Sequence, residues 1–384
     1  MRLVAIVHFG KLGQNFADAT PCCKLPLSLR PSLWLIMASM DLNSLILKLN
    51  AAQDLTVAES AGAAQAMVAT EVSDDAKEKF LLALTQKGET ATEVLGFAQT
   101  YRQLARQVNW GEWALRGIDI VGTGGDRSGS FNISSVSGLI VAAAGVPVLK
   151  HGNRSITSKS GSADFLAGLG VQLEATDAQL LKALAQTNFC YLFAPAFHPA
   201  FRAIGPVRKK LGEQGIKTIF NVLGPLINPA QPAHMVVGVY AERWVEPLAQ
   251  TLHQLGVKRG LVTHSRVGGG MDEITTAGEV RVKGCGELAK VDAVWLPGDF
   301  GFSTCSLQDL NGGSPEENLA MFSDLLVGGV ADGLMDTLCL SAGTSLWVAN
   351  QAASPEAGAQ LARQIILGGA LREQVRALRD VYRA

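Results

Sequence analysis

After Gly117 the chain alternates short apolar runs with segments of helical spacing, and this alternation restricts the possible folds more than any other feature. Ile118-Asp119-Ile120-Val121 predicts a strand that stops at Gly122. Ser134 to Ala144 is apolar and rich in Ala, which predicts a buried helix; Val146 to Leu149 predicts a second strand. Leu180 to Ala185, Val236 to Tyr240, Val245 to Leu255 and Leu261 to Thr263 continue the alternation. Strands and helices in turn make an α/β domain with a mostly parallel central sheet flanked by helices. Ligands of such sheets sit at the carboxyl ends of the strands.

Before this region the pattern is helical. Thr56-Val57-Ala58-Glu59 and Thr90-Ala91-Thr92-Glu93 both fit the capping box, in which Thr and Glu satisfy each other's otherwise orphaned backbone donors. The second box leads into Val94, Ala98, Tyr101, Leu104 and Val108, one apolar face at three-to-four spacing. Ser73 is placed to cap a further helix carrying Phe80, Leu81 and Leu84. Residues 41–112 are therefore expected to form a small all-helical domain, completed by a segment near 200–220. Residues 113–384 are expected to form the larger α/β domain. Residues 1–39 show neither period; they read as a disordered or mis-assigned extension, with a transit peptide as the second reading.

Composition narrows the function classes. Lys plus Arg total 33 and Asp plus Glu 34, a net charge of −1. Proteins built mainly to hold nucleic acid or an anionic membrane need an excess of basic surface, which this balance lacks. Hydrophobic residues make up 48% and charged residues 17%, enough apolar content for a large core. Six cysteines, with no C-x-x-C pair, are too sparse for a disulfide framework and suit reduced thiols in the cytoplasm. No run approaches the 18 apolar residues of a membrane span.

Four stretches could carry chemistry. Gly122-Thr123-Gly124-Gly125-Asp126 follows a strand, and its glycines let backbone N–H groups converge on an anion. It matches neither the dinucleotide fingerprint nor the P-loop, and taken alone such a turn serves structure as readily as function. Ser130-Phe131-Asn132-Ile133-Ser134-Ser135 opens the Ala-rich helix, where free N–H groups and the helix dipole suit phosphate; plain capping is the simpler reading. Lys150 to Asp164 holds three cations and many hydroxyls directly after a buried strand, as a pocket for a phosphorylated sugar requires. Asp272-Glu273 follows three glycines. In isolation such a pair is solvated surface charge; its alternative is to hold Mg²⁺, which takes carboxylate oxygens together with substrate phosphates.

Together these stretches describe a site for a Mg²⁺-pyrophosphate leaving group, and their wording is specific. DIVGTGGD (119–126), FNISS (131–135), KHGNRSITSKSGSAD (150–164), PVRKKLG (206–212), TIFNVLGPLINPA (218–230) and GGMDEITTAGE (269–279) resemble the anthranilate phosphoribosyltransferase family. That family belongs with the pyrimidine nucleoside phosphorylases in one superfamily. The resemblance covers roughly residues 41–384. It implies a helical domain hinged to an α/β domain, homodimers paired through the helical domain, and Mg²⁺, two ions per subunit. By position it implies that Gly122, Gly125, Asp126, Ser130, Asn132, Ile133, Ser134, Ser135, Lys150, His151, Gly152, Asn153, Arg154, Ser155, Ile156, Thr157, Ser158 and Ser162 contact phosphoribosyl pyrophosphate. Ser134, Asp272 and Glu273 would bind Mg²⁺. Gly122, Asn153 and Arg208 would contact anthranilate. Two departures stand out: Ser135 replaces the more usual Thr, and 212–217 is longer than the family's compact link.

The implied activity is transfer of the 5-phosphoribosyl group to the amine of anthranilate, with Lys150 acting electrostatically and no covalent intermediate. A transferase or pyrimidine nucleoside phosphorylase of the same fold with another acceptor is the competing enzyme reading. The carboxylate pair favours a pyrophosphate substrate over that. A non-enzymatic nucleic-acid-binding relative is the third reading; the intact motifs and the net charge count against it.

Overall fold

The computed structural model describes residues 41–154 and 160–383. The expectation for residues 1–39 and the site residues Ser155, Ile156, Thr157 and Ser158 lie outside the described residues.

Helices over Leu42–Asn50, Val57–Val68, Asp74–Lys87 and Ala91–Leu104 open the described chain. Both anticipated capping boxes are present: Thr56 accepts from the Glu59 N–H and Thr90 from the Glu93 N–H, while each glutamate returns to its threonine's N–H. Ser73 caps the third helix.

Seven strands follow: β1 (Ile118–Gly122), β2 (Val148–Gly152), β3 (Phe189–Phe193), β4 (His234–Gly238), β5 (Arg259–Ser265), β6 (Val280–Gly286) and β7 (Asp292–Trp295). Their order across the sheet is β3-β2-β1-β4-β5-β6-β7. The first five are mutually parallel, and β6 and β7 add an antiparallel edge. β2 begins at Val148, later than expected. The Val146 N–H still closes the preceding helix onto the Val141 carbonyl, and Pro147 has no N–H for the ladder. The Ala-rich helix spans Ile133–Ala143.

The alternation of side chains along a strand assigns each residue to one face of the sheet. Ile118, Ile120, Val236 and Leu261 join one apolar cluster with helices Ile133–Ala143, Asp332–Val348 and Pro355–Leu367. Val121, Met235, Val237 and Val262 join another with helix Val245–Gln254 and the N-terminal helices. That second cluster also contains Ile204, Val207, Leu211, Ile219 and Phe220, so the chain around 204–220 packs against the helices of residues 42–104. Lys210 pairs with Glu78 across the same contact, at 2.7 Å.

Chain order reverses between β1 and β4: β2 and β3 lie on one side of β1, β4 and β5 on the other. This is the topological switch point, where the loops leaving adjacent strands diverge and open a crevice. Its floor is the pair Gly122 and Gly238, aligned in register. Among the described residues no helix is long and apolar enough to cross a membrane.

Candidate active site

Both glycines at the switch point are required by one neighbour. A Cβ on Gly122 would lie 2.3 Å from Asp272 Oδ2, and one on Gly238 only 1.7 Å from the Asp272 carbonyl. The missing side chains let the segment after β5 fold back over the strand ends. The Ser265 N–H donates to the Met271 carbonyl and the Ser265 hydroxyl to the Glu273 carbonyl, at 3.0 and 2.6 Å. Asp272 is thereby buried, not spread on the surface as an isolated acidic pair would be.

Here the separate stretches meet. The Gly124 N–H donates to Asp272 Oδ2 at 2.5 Å, and the Ser134 N–H to Glu273 Oε1 at 3.3 Å. Ser134, Gly238, Asp272 and Glu273 line one small cavity. Lys150, 1% exposed, reaches in from β2; its ammonium donates to the Ile120 carbonyl and the Ser134 hydroxyl. Asp126 turns one oxygen to the Ser128 N–H, while its Oδ2 is buried without a donor.

A buried carboxylate beside other negative charge resists ionisation. Burial, then the charges of Asp126 and Glu273, raise the Asp272 carboxyl well above the usual range. Burial pushes Glu273 up to about 8 against the opposing pull of Lys150 and the Ser134 N–H. Burial lowers Lys150, with Asp119 and Glu273 opposing it.

The other donor candidates divide by exposure. Ile133 is fully buried and can offer only its backbone; the Ser135 hydroxyl is buried and unpartnered. Ser130 accepts from the Ser128 hydroxyl at 3.1 Å. Gly152 lies at the carboxyl end of β2, beside Ser162 and Tyr191, whose hydroxyls are 3.0 Å apart. Asn153 and Arg154 are exposed, and Arg154 pairs with Asp164.

Arg208 sits on helix Gly205–Glu213, a separate element, and a row of rings links it to β2. His151 meets His198 edge-on at 5.2 Å, and His198 stacks on Phe201 at 5.4 Å. Phe201 meets Phe220 at 5.8 Å, and the Arg208 guanidinium lies 5.2 Å from the Phe220 ring. Arg208 is half-buried, burial lowers its guanidinium, and among the described residues no carboxylate pairs with it. Burial pushes His151 down to about 3 and His198 to about 4, so both are neutral at pH 7. His151 Nδ1 faces the Gly224 carbonyl at 3.1 Å, which assigns the proton to Nδ1 and leaves the buried Nε2 an unpartnered acceptor.

Several residues at this site were not singled out in the sequence. Asp119 is buried in β1, accepts from Asn228 Nδ2 at 2.8 Å and from the His151 N–H at 3.3 Å, and is raised to about 6 by burial. An acid inside an apolar strand was a visible signal. Lys217, at the end of the lengthened link, donates to the Gly125 carbonyl at 2.8 Å and lies 3.4 Å from the centre of the Tyr240 ring. The link therefore continues into the glycine loop's packing. Helix Gly205–Glu213 absorbs its first residues, and Gly215, with φ +75°, makes the turn.

Comparison with known proteins follows the same outline. Residues 43–105 match the helical bundle domain of the glycosyl transferase family, and residues 115–371 match its a/b domain. The chain is 39% identical over 344 residues to an anthranilate phosphoribosyltransferase of Afipia carboxidovorans, covering 90% of this chain and 99% of that protein. The crystal structure of the anthranilate phosphoribosyltransferase from Thermus thermophilus superposes with a TM-score of 0.81 at 37% identity, covering 90% of this chain and all of that one. The Saccharomyces cerevisiae enzyme, in complex with PRPP and Mg, shares the fold with a TM-score of 0.79 at 23% identity, over 90% of this chain and 99% of that one.

Proposed function

The chain belongs to the anthranilate phosphoribosyltransferases of the glycosyl transferase family, and from that premise we propose how its residues divide the reaction between them. The reaction moves the 5-phosphoribosyl group of phosphoribosyl pyrophosphate to the amine of anthranilate and releases pyrophosphate, the second step of tryptophan biosynthesis.

In this reading the donor lies in the crevice at the switch point. The glycine loop Gly122–Asp126 and the helix start at Asn132–Ser135 border its phosphates, where a glycine-rich turn and the helix dipole favour anions. Lys150 supplies a cation beneath them. The ribose and its 5-phosphate are assigned to the polar run from His151 through Asn153 and Arg154 to Ser162. Anthranilate lies along the ring row, its carboxylate on Arg208, with Gly122 and Asn153 at the end nearer the donor.

The residues present fit Mg²⁺. Asp126 Oδ2 is buried without a donor, and Asp272 and Glu273 are held above the normal carboxylate range, so divalent charge at this site would offset the carboxylate charge gathered there. Among the described residues no three His, Cys, Asp or Glu side chains form a cage of their own. Mg²⁺ needs none, because it commonly keeps waters and takes substrate phosphates as ligands. Ser134, Asp272 and Glu273 would hold it, two ions per subunit. Bound there, Mg²⁺ supplies positive charge to the leaving pyrophosphate.

The chemistry needs no base from the protein. The amine lone pair forms the bond to C1 of the ribose as the C1–O bond to pyrophosphate breaks, and that electron pair leaves on pyrophosphate. The new ammonium, an acidic anilinium, then releases its proton to water. Arg208 orients the acceptor through its carboxylate, and Lys150 steadies the departing charge, so orientation and electrostatics carry the rate. We also place the protein in the cytoplasm as a homodimer paired through its N-terminal helices, where Leu47 is 72% exposed. A monomer in sedimentation, or one Mg²⁺ per subunit in titration with phosphoribosyl pyrophosphate, would correct those two points.

The observation that carries this reading is the junction of Asp126, Asp272 and Glu273 with Ser134 and Lys150 at the switch point. Loss of anthranilate fluorescence in the presence of phosphoribosyl pyrophosphate and Mg²⁺ tests it. The wild type should consume anthranilate, and Asp272→Asn with Glu273→Gln should lower kcat/KM by at least about 100-fold with the fold intact. A double variant with normal turnover and normal Mg²⁺ dependence would remove the carboxylates from the mechanism.

A further inference from the structure

Asn132 stands at the entrance of helix Ile133–Ala143, and the direction of its amide is set from outside the glycine loop. The segment 310–318 lies against residues 129–132. The Phe131 N–H donates to the Leu310 carbonyl at 2.9 Å, and the Gly312 N–H to the Gly129 carbonyl at 2.8 Å. Ser130 and Asn311 form an antiparallel bridge between these two contacts. The approach is close enough that a Cβ on Gly312 would come within 2.8 Å of the Ser130 carbonyl.

Asn318, 1% exposed, extends from helix Pro315–Leu325 into this contact. Its Oδ1 accepts from the Gly313 N–H at 2.7 Å. A backbone N–H can only donate, so this bond identifies which end of the Asn318 amide is oxygen. Its Nδ2 then donates to Asn132 at 2.9 Å, and Asn132 must present Oδ1 to receive it. The Ser160 hydroxyl is 3.4 Å from the same oxygen. The end of Asn132 that remains is Nδ2, a double N–H donor, which is what a phosphate or ribose oxygen requires.

We propose that Asn318 is a positioning residue for phosphoribosyl transfer, holding the Asn132 amide with its nitrogen toward the donor substrate. Without the relay, the Asn132 amide can turn over and offer a carbonyl oxygen to an anion. The inference rests on the reading of Asn132 as a contact of phosphoribosyl pyrophosphate.

A double-mutant cycle on the full chain tests both, reading KM for each substrate in wild type, Asn132→Ala, Asn318→Ala and the double variant. Asn132→Ala should raise KM for phosphoribosyl pyrophosphate roughly ten-fold or more, the scale of one hydrogen bond to a charged group. Asn318→Ala should raise it about three- to ten-fold, with KM for anthranilate unchanged, and should add less than about two-fold in the Asn132→Ala background. A structural role alone would lower the melting temperature in both backgrounds without this split. If Asn318→Ala raises KM equally in both backgrounds, or in neither, the relay is wrong. If Asn132→Ala leaves KM for phosphoribosyl pyrophosphate unchanged, the placement of Asn132 fails, and the relay with it. Should Asn318→Ala not fold, Asn318→Ser carries the same cycle.

Discussion

Arg208 is a half-buried cation without a carboxylate of its own, set against an aromatic ring. A guanidinium in that state is ready to receive a carboxylate by paired hydrogen bonds. Arg208→Ala should raise KM for anthranilate about ten- to 100-fold, the range for a hydrogen bond to a charged group, and barely alter KM for phosphoribosyl pyrophosphate. Steady-state kinetics with each substrate varied in turn would show it; a matching rise for the donor would place Arg208 elsewhere. His198 makes a prediction about acid. Its folded value of about 4 lies below the ordinary 6.5, so the unfolded chain takes up a proton that the folded one refuses. Stability attached to His198 is therefore present above pH 6.5 and is lost as pH falls toward 4, by about 3 kcal/mol at pH 4. Asn can replace the ring's bond to the Ile227 carbonyl and does not titrate. His198→Asn should accordingly lose less stability than wild type between pH 6.5 and 4 in denaturant titrations. Parallel pH curves for the two proteins would count against a buried neutral imidazole.

The two capping boxes look alike in sequence and differ in depth. Around Thr56, the Glu59 carboxylate pairs with Lys48 near the surface, with both side chains about one-quarter exposed. Around Thr90, Glu93 is fully buried; it accepts from the Leu55 and Thr90 N–H groups and pairs with Lys87, whose side chain is 4% exposed. Thr56→Ala removes an ordinary cap and should cost about 1 kcal/mol. Glu93→Ala leaves two buried-side backbone donors unpaired and Lys87 with Asp54 alone, and should cost about 2–4 kcal/mol. Chemical unfolding of the two variants would rank them, and equal losses would contradict the difference in burial. The strand ends show the same dependence on surroundings. Gly122 and Gly238 have neighbouring register positions, yet their need for glycine comes from Asp272, a residue far along the chain.

The N-terminal helices and the sheet share one apolar cluster. It runs from Leu45, Phe80 and Phe97 through Phe220 to Val237 and Val262, so neither part buries its apolar face alone. Melting followed by far-ultraviolet circular dichroism and by tryptophan fluorescence should therefore give one coincident transition for residues 41–384. Two separated transitions would show that the helices and the sheet unfold independently. The same shared packing includes Phe220, whose ring carries Arg208, and three residues before it Lys217 bonds to the glycine loop at the Gly125 carbonyl.

Local patterns determined a good part of this protein. Capping boxes, the Ala-rich helix and the short apolar strands depend on neighbours within a few residues, and they are readable wherever those neighbours are. The donor loop, the run from Lys150 and the Asp272-Glu273 pair were visible for the same reason, as compact motifs. The antiparallel edge of β6 and β7 was not visible, nor was the later start of β2, which Pro147 imposes through its missing N–H. Asn318 and Lys217 gave no local signal of a role, because their partners lie 186 and 92 residues away. Whether two adjacent acids are surface charges or a buried cluster likewise depends on what packs over them. Only the tertiary structure decided that, by folding Asp272 onto two glycines at the switch point, where burial and neighbouring carboxylates change what the residue can do.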